Sequence, residues 1–301
     1  MTNKREFDII INMISELTKS KIRTLKKEYE QLKDGKESLL VLLREAELPE
    51  LVYNSNAIEN STLTLKETER ILLEQEVMRD VSVRELFEAK NLARVLEYLS
   101  TRPNIELSFG NMLLLHRMLI GGINDKIAGR LRQEGEYVRV GSYIAPAPEH
   151  VSGLLNDLID DYLSNHSQYF IDSIGHFHAE FEHIHPFCDG NGRIGRVLVN
   201  VQLAAFGYPP IIIRNKGKHD NYYPLFFNYQ DNKEFDGMSG LFALALQESL
   251  NKRIAYLKGQ KIVKLADYAK QHNLTTNSQL NAAKRQTIPA FREKGIWKIG
   301  E

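Results

Sequence analysis

The sequence predicts a mainly α-helical fold with one small β-hairpin and a small helix-turn-helix or winged-helix-like domain at the C-terminus. Three observations support this prediction. Apolar residues recur at spacings of three and four over most of the 301 residues, which is the period of an amphipathic helix. Residues 132–145 instead alternate in polarity around a Gly-Ser pair, which predicts a hairpin. Residues 251–301 differ in composition from the rest of the chain.

The predicted helices are bounded by start and stop signals. The first apolar-periodic stretch runs from Phe7 to about Leu48. Pro49 is expected to end that stretch or to open the next helix, because proline lacks the N–H that a helix interior requires. Ser108 is a predicted N-cap, and Pro103 breaks the pattern before it. Further helices are predicted at residues 51–60, 65–76, 82–100, 109–120, 150–163, 169–183, 191–206, 222–229 and 240–257.

The composition is that of a globular protein without a strong overall charge. Lys plus Arg and Asp plus Glu both number 39, so the whole chain carries no electrostatic footprint for nucleic acid. The one cysteine, Cys188, has no partner for an internal disulfide, which fits a reducing compartment. The N-terminus lacks the continuous apolar stretch of a signal peptide, and no run of about 18 apolar residues occurs. We therefore expect a cytoplasmic protein without a membrane span.

The most informative stretch is a loop followed by the predicted helix at 191–206. Gly190 and Gly192 bracket Asn191, and glycines let the backbone approach a ligand closely. The free N–H groups at the start of a helix form an anion site. Arg193 and Arg196 are three residues apart, so both project from one side of the first turns and bind phosphate oxygens. The pattern predicts a phosphate-binding helix start.

Two further side chains add chemistry to this helix start. Asp189 precedes the loop glycines, and a carboxylate beside a phosphate site is the usual way to hold Mg²⁺. His185 lies four residues before Asp189, and a neutral imidazole can take a proton from an attacking hydroxyl near pH 7. A base, a metal ligand, an anion site and two cations within twelve residues indicate phosphoryl or nucleotidyl transfer.

This stretch resembles a known family. Residues 185–196 match the Fic signature, H-x-F-x-[DE]-G-N-G-R-x-x-R, and the flanking segments at 176–178, Asn200 and 207–210 are also similar to the Fic core. The resemblance covers about residues 50–250. It implies a Fic-type helical core and a protein adenylyltransferase, which transfers AMP from ATP to a Ser, Thr or Tyr hydroxyl and releases pyrophosphate, with Mg²⁺ or Mn²⁺. The intact Gly-Asn-Gly-Arg-x-x-Arg favours this activity over the kinase activity of Doc-type relatives.

The resemblance also implies a role for each residue of the signature. His185 would be the general base, and Asp189 would hold the metal. The ATP phosphates would be bound by Gly190, Asn191, Gly192, Arg193 and Arg196, with Arg196 at the γ-phosphate. Phe187 would be structural, buried beneath the loop.

A second motif concerns regulation. Residues 55–60 resemble the inhibitory-helix motif [ST]-x-x-x-E-[GN], with Ser55 and Glu59 at the specified positions. The resemblance implies an inhibitory helix at about residues 51–60, in which Glu59 pairs with Arg196. The γ-phosphate of ATP would then lose its partner and meet a like charge, which would misplace the α-phosphate for in-line attack.

Two further segments resemble less specific parts of the family. The hairpin at 132–145 resembles the Fic flap, which docks the target protein by adding a strand, with Tyr143, Ile144 and Ala145 as its inner edge. Residues 218–223 resemble the segment that contacts adenine. Tyr222 or Tyr223 would stack on the base, and Gln230 or Asn228 would reach its edge.

These observations divide the chain into an N-terminal helical region at 1–105, a Fic core at 106–250 and a basic tail at 251–301. The tail holds eleven Lys and Arg against three acids, a local charge of +8. Residues 265–280 resemble a helix-turn-helix, and residues 287–299 resemble the wing of excisionase-like DNA-binding domains. DNA is therefore a candidate partner of the tail, beside a target protein. Self-AMPylation and a homo-oligomer are further expectations from the family.

Several alternatives remain open at the level of sequence. The enzyme could remove AMP from modified targets, with Glu59 aligning a water molecule. The chain could also be a DNA-binding regulator with a vestigial Fic core. His176, Glu180 and His183 could share a helix face and bind zinc, and Cys188 could act as a thiol nucleophile.

Overall fold

The structure is a computed structural model that describes residues 14–77, 80–102, 104–141, 143–165 and 167–301. The start of the first predicted stretch, at residues 7–13, the predicted break at Pro103 and the turn residue Ser142 lie outside the described residues. The helices are α1 (Glu16–Lys33), α2 (Glu37–Ile58), α3 (Leu65–Glu69), α4 (Val83–Ser100), α5 (Phe109–Ile120), α6 (Pro148–Ser164), α7 (Phe170–Ile184), α8 (Asn191–Ala205), α9 (Lys218–Asn221), α10 (Tyr223–Asn232), α11 (Asp236–Leu257), α12 (Leu265–Gln271) and α13 (Thr276–Lys284). The strands are β1 (Arg139–Val140), β2 (Tyr143–Ile144), β3 (Ile262–Lys264), β4 (Ala290–Glu293) and β5 (Ile296–Gly300).

The fold is mainly helical, as the sequence predicted, and most helix bounds agree with the apolar pattern. Ser108 caps α5 by accepting from the Asn111 N–H, and Ser82 caps α4 in the same way. The predicted helix at 65–76 is shorter: α3 passes into a π-helical turn at Arg70–Glu74. The capping signals in the sequence therefore located helix starts better than they located helix ends.

The prediction that Pro49 ends a helix was wrong. Helix α2 runs through Pro49 without a break, and Pro49 itself is buried. A proline in a helix interior costs about 3 kcal/mol, so other contacts must offset that cost. Glu47 and Glu50, on either side of the proline, are 5% and 4% exposed and form ion pairs with other parts of the chain.

Helices α7 and α8 form the centre of the molecule. Apolar residues of both helices contribute to two large buried clusters, which brings all the longer helices into one packed body. Phe177, Phe181 and Phe187 are each at most 1% exposed. Because α7 and α8 are joined by the segment 185–190, this packing fixes the position of the predicted active-site loop.

The C-terminal residues form a small unit of their own around α12 and α13. Strands β3, β5 and β4 make an antiparallel sheet in that order, over a core of Leu265, Ala283, Ala290 and Ile299. Helix α11 continues across residues 250 and 251, so the change in composition falls within a helix. The helix-turn-helix class of this unit stays a prediction.

Much of the positive charge of the tail is paired with acids from elsewhere in the chain. At least six of its eleven cations form ion pairs within the described residues: Lys252 and Arg253 with Glu47, Lys258 with Glu28, Arg292 with Glu248, Lys294 with Glu69, and Lys298 with Glu293. The pairs of the first five cations attach the tail to the helical body, whereas Lys298 pairs with an acid of the tail itself. The charge free to meet DNA phosphates is therefore smaller than the sequence count suggests, and DNA binding stays a prediction.

No helix within the described part of the chain combines the length and the apolar composition needed to cross a bilayer.

We predict that Glu47→Ala lowers the free energy of unfolding by about 3 kcal/mol, because it leaves the buried Arg253 without its carboxylate and Lys252 with Glu293 as its remaining partner. Urea unfolding followed by circular dichroism measures the change. Glu45→Ala is the matched control, since Glu45 is exposed on the same helix. Equal losses for the two variants would contradict a stabilising role for the ion pairs.

Candidate active site

The candidate site is built on the turn between α7 and α8. Helix α7 ends at Ile184, and His185 follows in the left-handed conformation with φ 49°. Gly190 precedes α8 with φ 84°, and a Cβ at this position would lie 3.0 Å from Ile120 Cδ1. Glycine is therefore required there by both backbone conformation and space.

The loop keeps its shape through side chain to backbone hydrogen bonds. The Asn191 carboxamide accepts from the Phe187 N–H at 2.9 Å and donates to the Phe187 carbonyl at 2.8 Å. Asn191 is 2% exposed, so its side chain holds the loop, and its contribution to an anion site would come from its backbone N–H. Phe187 is fully buried and stacks on His116 with ring centroids 3.8 Å apart.

Arg132 stabilises the same loop through hydrogen bonds, and sequence analysis did not identify it. Its Nε donates to the His185 carbonyl at 2.8 Å, and its backbone N–H donates to the Pro186 carbonyl at 3.0 Å. A further bond runs from Nη2 to the Pro146 carbonyl at 2.9 Å. Arg132 is 3% exposed. No local pattern signals this role, because its partners His185 and Pro186 lie 53 and 54 residues away along the chain.

His116 hydrogen-bonds the carbonyl that precedes the glycines predicted to bind phosphate, and sequence analysis missed it too. The Gly129 N–H donates to His116 Nδ1 at 3.0 Å, so the ring proton must lie on Nε2, which donates to the Asp189 carbonyl at 2.9 Å. Burial lowers the pKa of His116 to about 4. The neutral tautomer that makes both bonds is therefore the stable form at pH 7.

His185 is held in the form that a general base needs. Its Nδ1 lies 3.2 Å from the Glu182 carbonyl, and because a carbonyl can only accept, Nδ1 carries the proton. Nε2 is then left with a lone pair that can accept one. Burial lowers the pKa of His185 to about 4, so the imidazole is neutral at physiological pH.

The Glu182 side chain lies beside this histidine and was not singled out by the sequence. Its Oε2 is 3.8 Å from His185 Nδ1. Burial, reinforced by the charge of Glu59, raises the pKa of Glu182 to about 8. A Cβ at Gly195 would overlap Glu182 Oε1, so the absence of a side chain there makes room for the buried carboxyl.

Asp189 lies in a ring of alternating charges. Arg193 Nη2 donates to its Oδ1 at 3.0 Å, and Arg84 Nη2 donates to its Oδ2. Glu88 closes the ring through Arg84 Nε at 3.0 Å and Arg193 Nη1 at 3.1 Å. Although burial opposes the effect, Arg193 and Arg84 lower the pKa of Asp189.

This arrangement fits a divalent metal ion at Asp189. The carboxylate is ionised, it lies immediately before the helix start, and both of its oxygens already attract cationic groups. Mg²⁺ takes few protein ligands and keeps several waters, so a single carboxylate beside a phosphate site is sufficient. Arg84 and Glu88 come from α4, more than 100 residues from Asp189, and sequence reasoning gave no sign of them.

Arg196 contacts two of the three specified residues of the predicted inhibitory motif, Ser55 and Glu59. Its Nη2 donates to Glu59 Oε1 at 2.8 Å and to the Ser55 carbonyl at 2.8 Å, while Nε donates to Ser55 Oγ at 3.0 Å. Glu59 directly follows α2. A Cβ at Gly192 would overlap Glu59 Oε1, so the carboxylate lies against the start of α8. The pairing expected from the sequence is present, and its effect on activity stays a prediction.

A cavity of about 470 Å³ opens beside these groups. Its lining includes His185, Glu59, Gly192 and Arg196. The same lining includes residues predicted for the nucleobase and part of the predicted flap: Tyr143, Tyr222, Tyr223 and Gln230. The structure thus brings four predicted features to one cavity: the general base, part of the phosphate site, the inhibitory glutamate and the nucleobase pocket.

The two tyrosines of the predicted base pocket differ in accessibility. Tyr222 is 2% exposed, and its hydroxyl lies 2.7 Å from His178 Nε2. Tyr223 is half-buried and donates to the Ile58 carbonyl at 2.5 Å. Tyr222 therefore packs as a core residue with little free ring face, and a contact with a base falls to Tyr223 and Gln230.

The flap is shorter than the predicted hairpin. Only β1 and β2 pair, with Arg139 opposite Ile144, and the Ala145 N–H extends the ladder to the Val138 carbonyl at 3.0 Å. Tyr143 Oη lies 3.1 Å from His183 Nε2 with the two rings stacked. Ile144 is 65% exposed, whereas Ala145 is 2% exposed. Of the three predicted docking residues, Ile144 presents the most side chain to a partner.

Two alternatives lose support from the geometry. Glu180 pairs with Lys233 at 3.2 Å, and His183 contacts Tyr143. Within the described residues, no group of three or more His, Cys, Asp or Glu is arranged to hold a metal ion. Burial and the nearby Glu136 raise the pKa of Cys188 to about 11, so a reactive thiolate is disfavoured at pH 7.

Comparison with known proteins finds similarity to one family. Residues 106–203 match the sequence model of the Fic/DOC family. Protein adenylyltransferase Fic from Nematostella vectensis is 33% identical over 176 residues, which cover 57% of this chain and 41% of the relative. Protein adenylyltransferase fic-1 from Caenorhabditis elegans is 34% identical over 169 residues, covering 54% and 33%. The matched region thus spans less than half the length of these relatives.

Solved structures extend the similarity beyond the matched domain. A Fic domain containing signaling protein from Bacteroides thetaiotaomicron superposes with a TM-score of 0.72 at 25% identity, covering 80% of this chain and 98% of the other. A Fic family protein from Desulfovibrio desulfuricans has a TM-score of 0.63 at 20% identity and covers 96% of this chain and 97% of the other. The second comparison concerns the fold alone and includes the C-terminal unit.

We predict that His185 titrates with a midpoint near pH 4 in the folded protein, with the proton on Nδ1 above that pH. Because this pKa lies below the unfolded value of about 6.5, the stabilisation from the neutral ring is complete above pH 6.5. It is lost as the pH falls from there towards 4. Nitrogen-15 NMR of the imidazole, with the signal assigned by its loss in His185→Ala, measures both. A midpoint at or above pH 6.5 would contradict the buried, neutral base.

Proposed function

We propose that this chain, whose residues 106–203 form a Fic/DOC-family domain, transfers AMP from ATP to a Ser, Thr or Tyr hydroxyl of a protein and releases pyrophosphate. One observation supports this best. A neutral histidine whose Nε2 can accept a proton lines the same cavity as a glycine-bounded helix start with Arg196 in its first turns. A base, an anion site and a guanidinium group around one cavity are what nucleotidyl transfer to a hydroxyl requires.

Each residue of the site has a distinct proposed role in the transfer reaction. The N–H groups at the start of α8, with Arg193 and Arg196, would bind the triphosphate. Asp189 would hold Mg²⁺ or Mn²⁺, which neutralises phosphate charge when bound. The target oxygen attacks the α-phosphorus as the bond to the β-phosphate breaks, and His185 Nε2 takes the hydroxyl proton. AMP then remains on the target oxygen, and pyrophosphate leaves.

The resting structure is proposed to be the inhibited state. Glu59 lies against Gly192 and is hydrogen-bonded to Arg196, so its carboxylate stands where an incoming phosphate would approach. A triphosphate that entered would meet a like charge and an arginine that is already engaged. It would therefore not reach the in-line geometry that transfer needs.

The remaining residues that line the cavity are proposed to bind the nucleobase and the target protein. Tyr223 and Gln230 would contact the adenine, and the exposed Ile144 with Tyr143 would dock an extended segment of the target beside β2. The chain itself is one proposed acceptor, since self-modification needs no further partner. In this scheme residues 1–105 supply the inhibitory helix and residues 106–250 the catalytic core.

We predict that Glu59→Gly raises the rate of AMP transfer about ten- to a hundredfold. A hydrogen bond between charged groups contributes about 1.5–3 kcal/mol, and each 1.4 kcal/mol corresponds to a factor of ten. Mass spectrometry of the intact chain after incubation with ATP and Mg²⁺ measures AMP added to the enzyme itself. Glu45→Gly is the control for the introduction of glycine, because it alters an exposed position of the same helix.

A second substitution tests the base. In the Glu59→Gly background, His185→Ala is expected to lower transfer by at least about a hundredfold. Transfer that persists without His185, or that does not rise without Glu59, would contradict these roles. Release of AMP from the pre-modified chain by the wild type but not by Glu59→Gly would instead favour the hydrolytic activity, with Glu59 aligning water.

A further inference from the structure

Both carboxylate oxygens of Asp189 are occupied by guanidinium groups in the resting structure. Arg193 holds Oδ1 at 3.0 Å, and Arg84 holds Oδ2. If Asp189 holds a metal ion, as the proposed function requires, the metal competes with a guanidinium group for one of these oxygens, because two cations at the same oxygen repel each other. The two arginines differ in how readily each can give up its contact with Asp189.

Arg193 is fixed in place. It is 3% exposed, lies in the first turn of α8, and has a second ion pair with Glu88 at 3.1 Å. It also belongs to the proposed phosphate site, so its removal would weaken the binding of the triphosphate that accompanies the metal. Oδ1 is therefore the oxygen that keeps its partner.

The Arg84 side chain is less constrained by its surroundings than that of Arg193. Its side chain is 55% exposed and extends from the first turn of α4. Its Nε bonds Glu88 at 3.0 Å, i to i+4 on the same helix, so the guanidinium can leave Asp189 and still have an ionic partner. Exposed ion pairs are worth little, typically below about 1 kcal/mol, so a divalent cation can displace this one.

We propose that Arg84 is a placeholder cation for Asp189. In the resting chain it occupies the oxygen that would ligate the metal and keeps the carboxylate in position. It yields that oxygen when Mg²⁺ arrives with the nucleotide. The inference rests on the proposed function for its assignment of Asp189. Since metal and arginine compete for one oxygen, the apparent affinity for the metal is reduced by the fraction of chains in which Arg84 is bound.

The test measures metal binding without turnover. Full-length Glu59→Gly is mixed with α,β-methylene-ATP, whose bridging bond cannot be cleaved by transfer, and titrated with Mn²⁺ while free Mn²⁺ is followed by electron paramagnetic resonance. Arg84→Gln in this background is expected to lower the apparent Kd for Mn²⁺ about two- to fivefold. Arg84→Lys, which restores a cation, is expected to return the Kd towards that of the parent.

Two further variants make the result specific. Arg94→Gln changes an exposed arginine of the same helix and is expected to leave the Kd unchanged. Asp189→Asn is expected to weaken Mn²⁺ binding at least about tenfold. An unchanged or higher Kd in Arg84→Gln, with binding lost in Asp189→Asn, overturns the placeholder and leaves the proposed function standing. Mn²⁺ binding that does not depend on Asp189 overturns both the placeholder and the metal assignment.

Discussion

The turn from α7 to α8 is the constraint on which the candidate site depends. Its backbone reverses direction within residues 185–190, and that path exists only because Gly190 adopts a positive φ and Asn191 closes the loop on both backbone polar groups of Phe187. Arg132 then ties the loop to a distant part of the chain. The imidazole at the end of one helix and the start of the next helix are thereby placed on one cavity.

Helix α2 connects this turn to the rest of the molecule. At its end, Ser55 and Glu59 engage Arg196. Toward its middle, Glu47 and Glu50 are buried and ion-paired with Arg253 of α11 and with Arg214. Breaking such buried pairs is costly, so the register of the helix is fixed well away from the site. The C-terminal unit contributes to this, since the Gly295 N–H donates to Glu50, so the position of the Glu59 carboxylate depends in part on that unit.

How well the sequence predicted an interaction depended on how far apart its partners lie along the chain. Residues near one another along the chain were predicted well, because a helix cap or a glycine-bounded helix start leaves a local pattern: Ser108 and Gly190 are examples. The contact of Glu59 with Arg196 was foreseen only through a family resemblance. Glu88 and Arg132 were missed, because their partners are set by tertiary packing. The continuation of α2 through Pro49 was not predicted for the same reason: the ion pairs of Glu47 and Glu50 with distant residues offset the low helix propensity of proline.

The charges of the site are balanced before any ligand arrives. Arg84, Arg193 and Arg196 are each paired with a carboxylate, supplied by Asp189, Glu88 and Glu59. In the proposed scheme, Glu59 stands in for a phosphate on Arg196, and Arg84 stands in for a metal on Asp189. A metal–triphosphate complex would carry both replacement charges at once. Its entry would exchange ionic partners and change the local charge less than the nucleotide alone would.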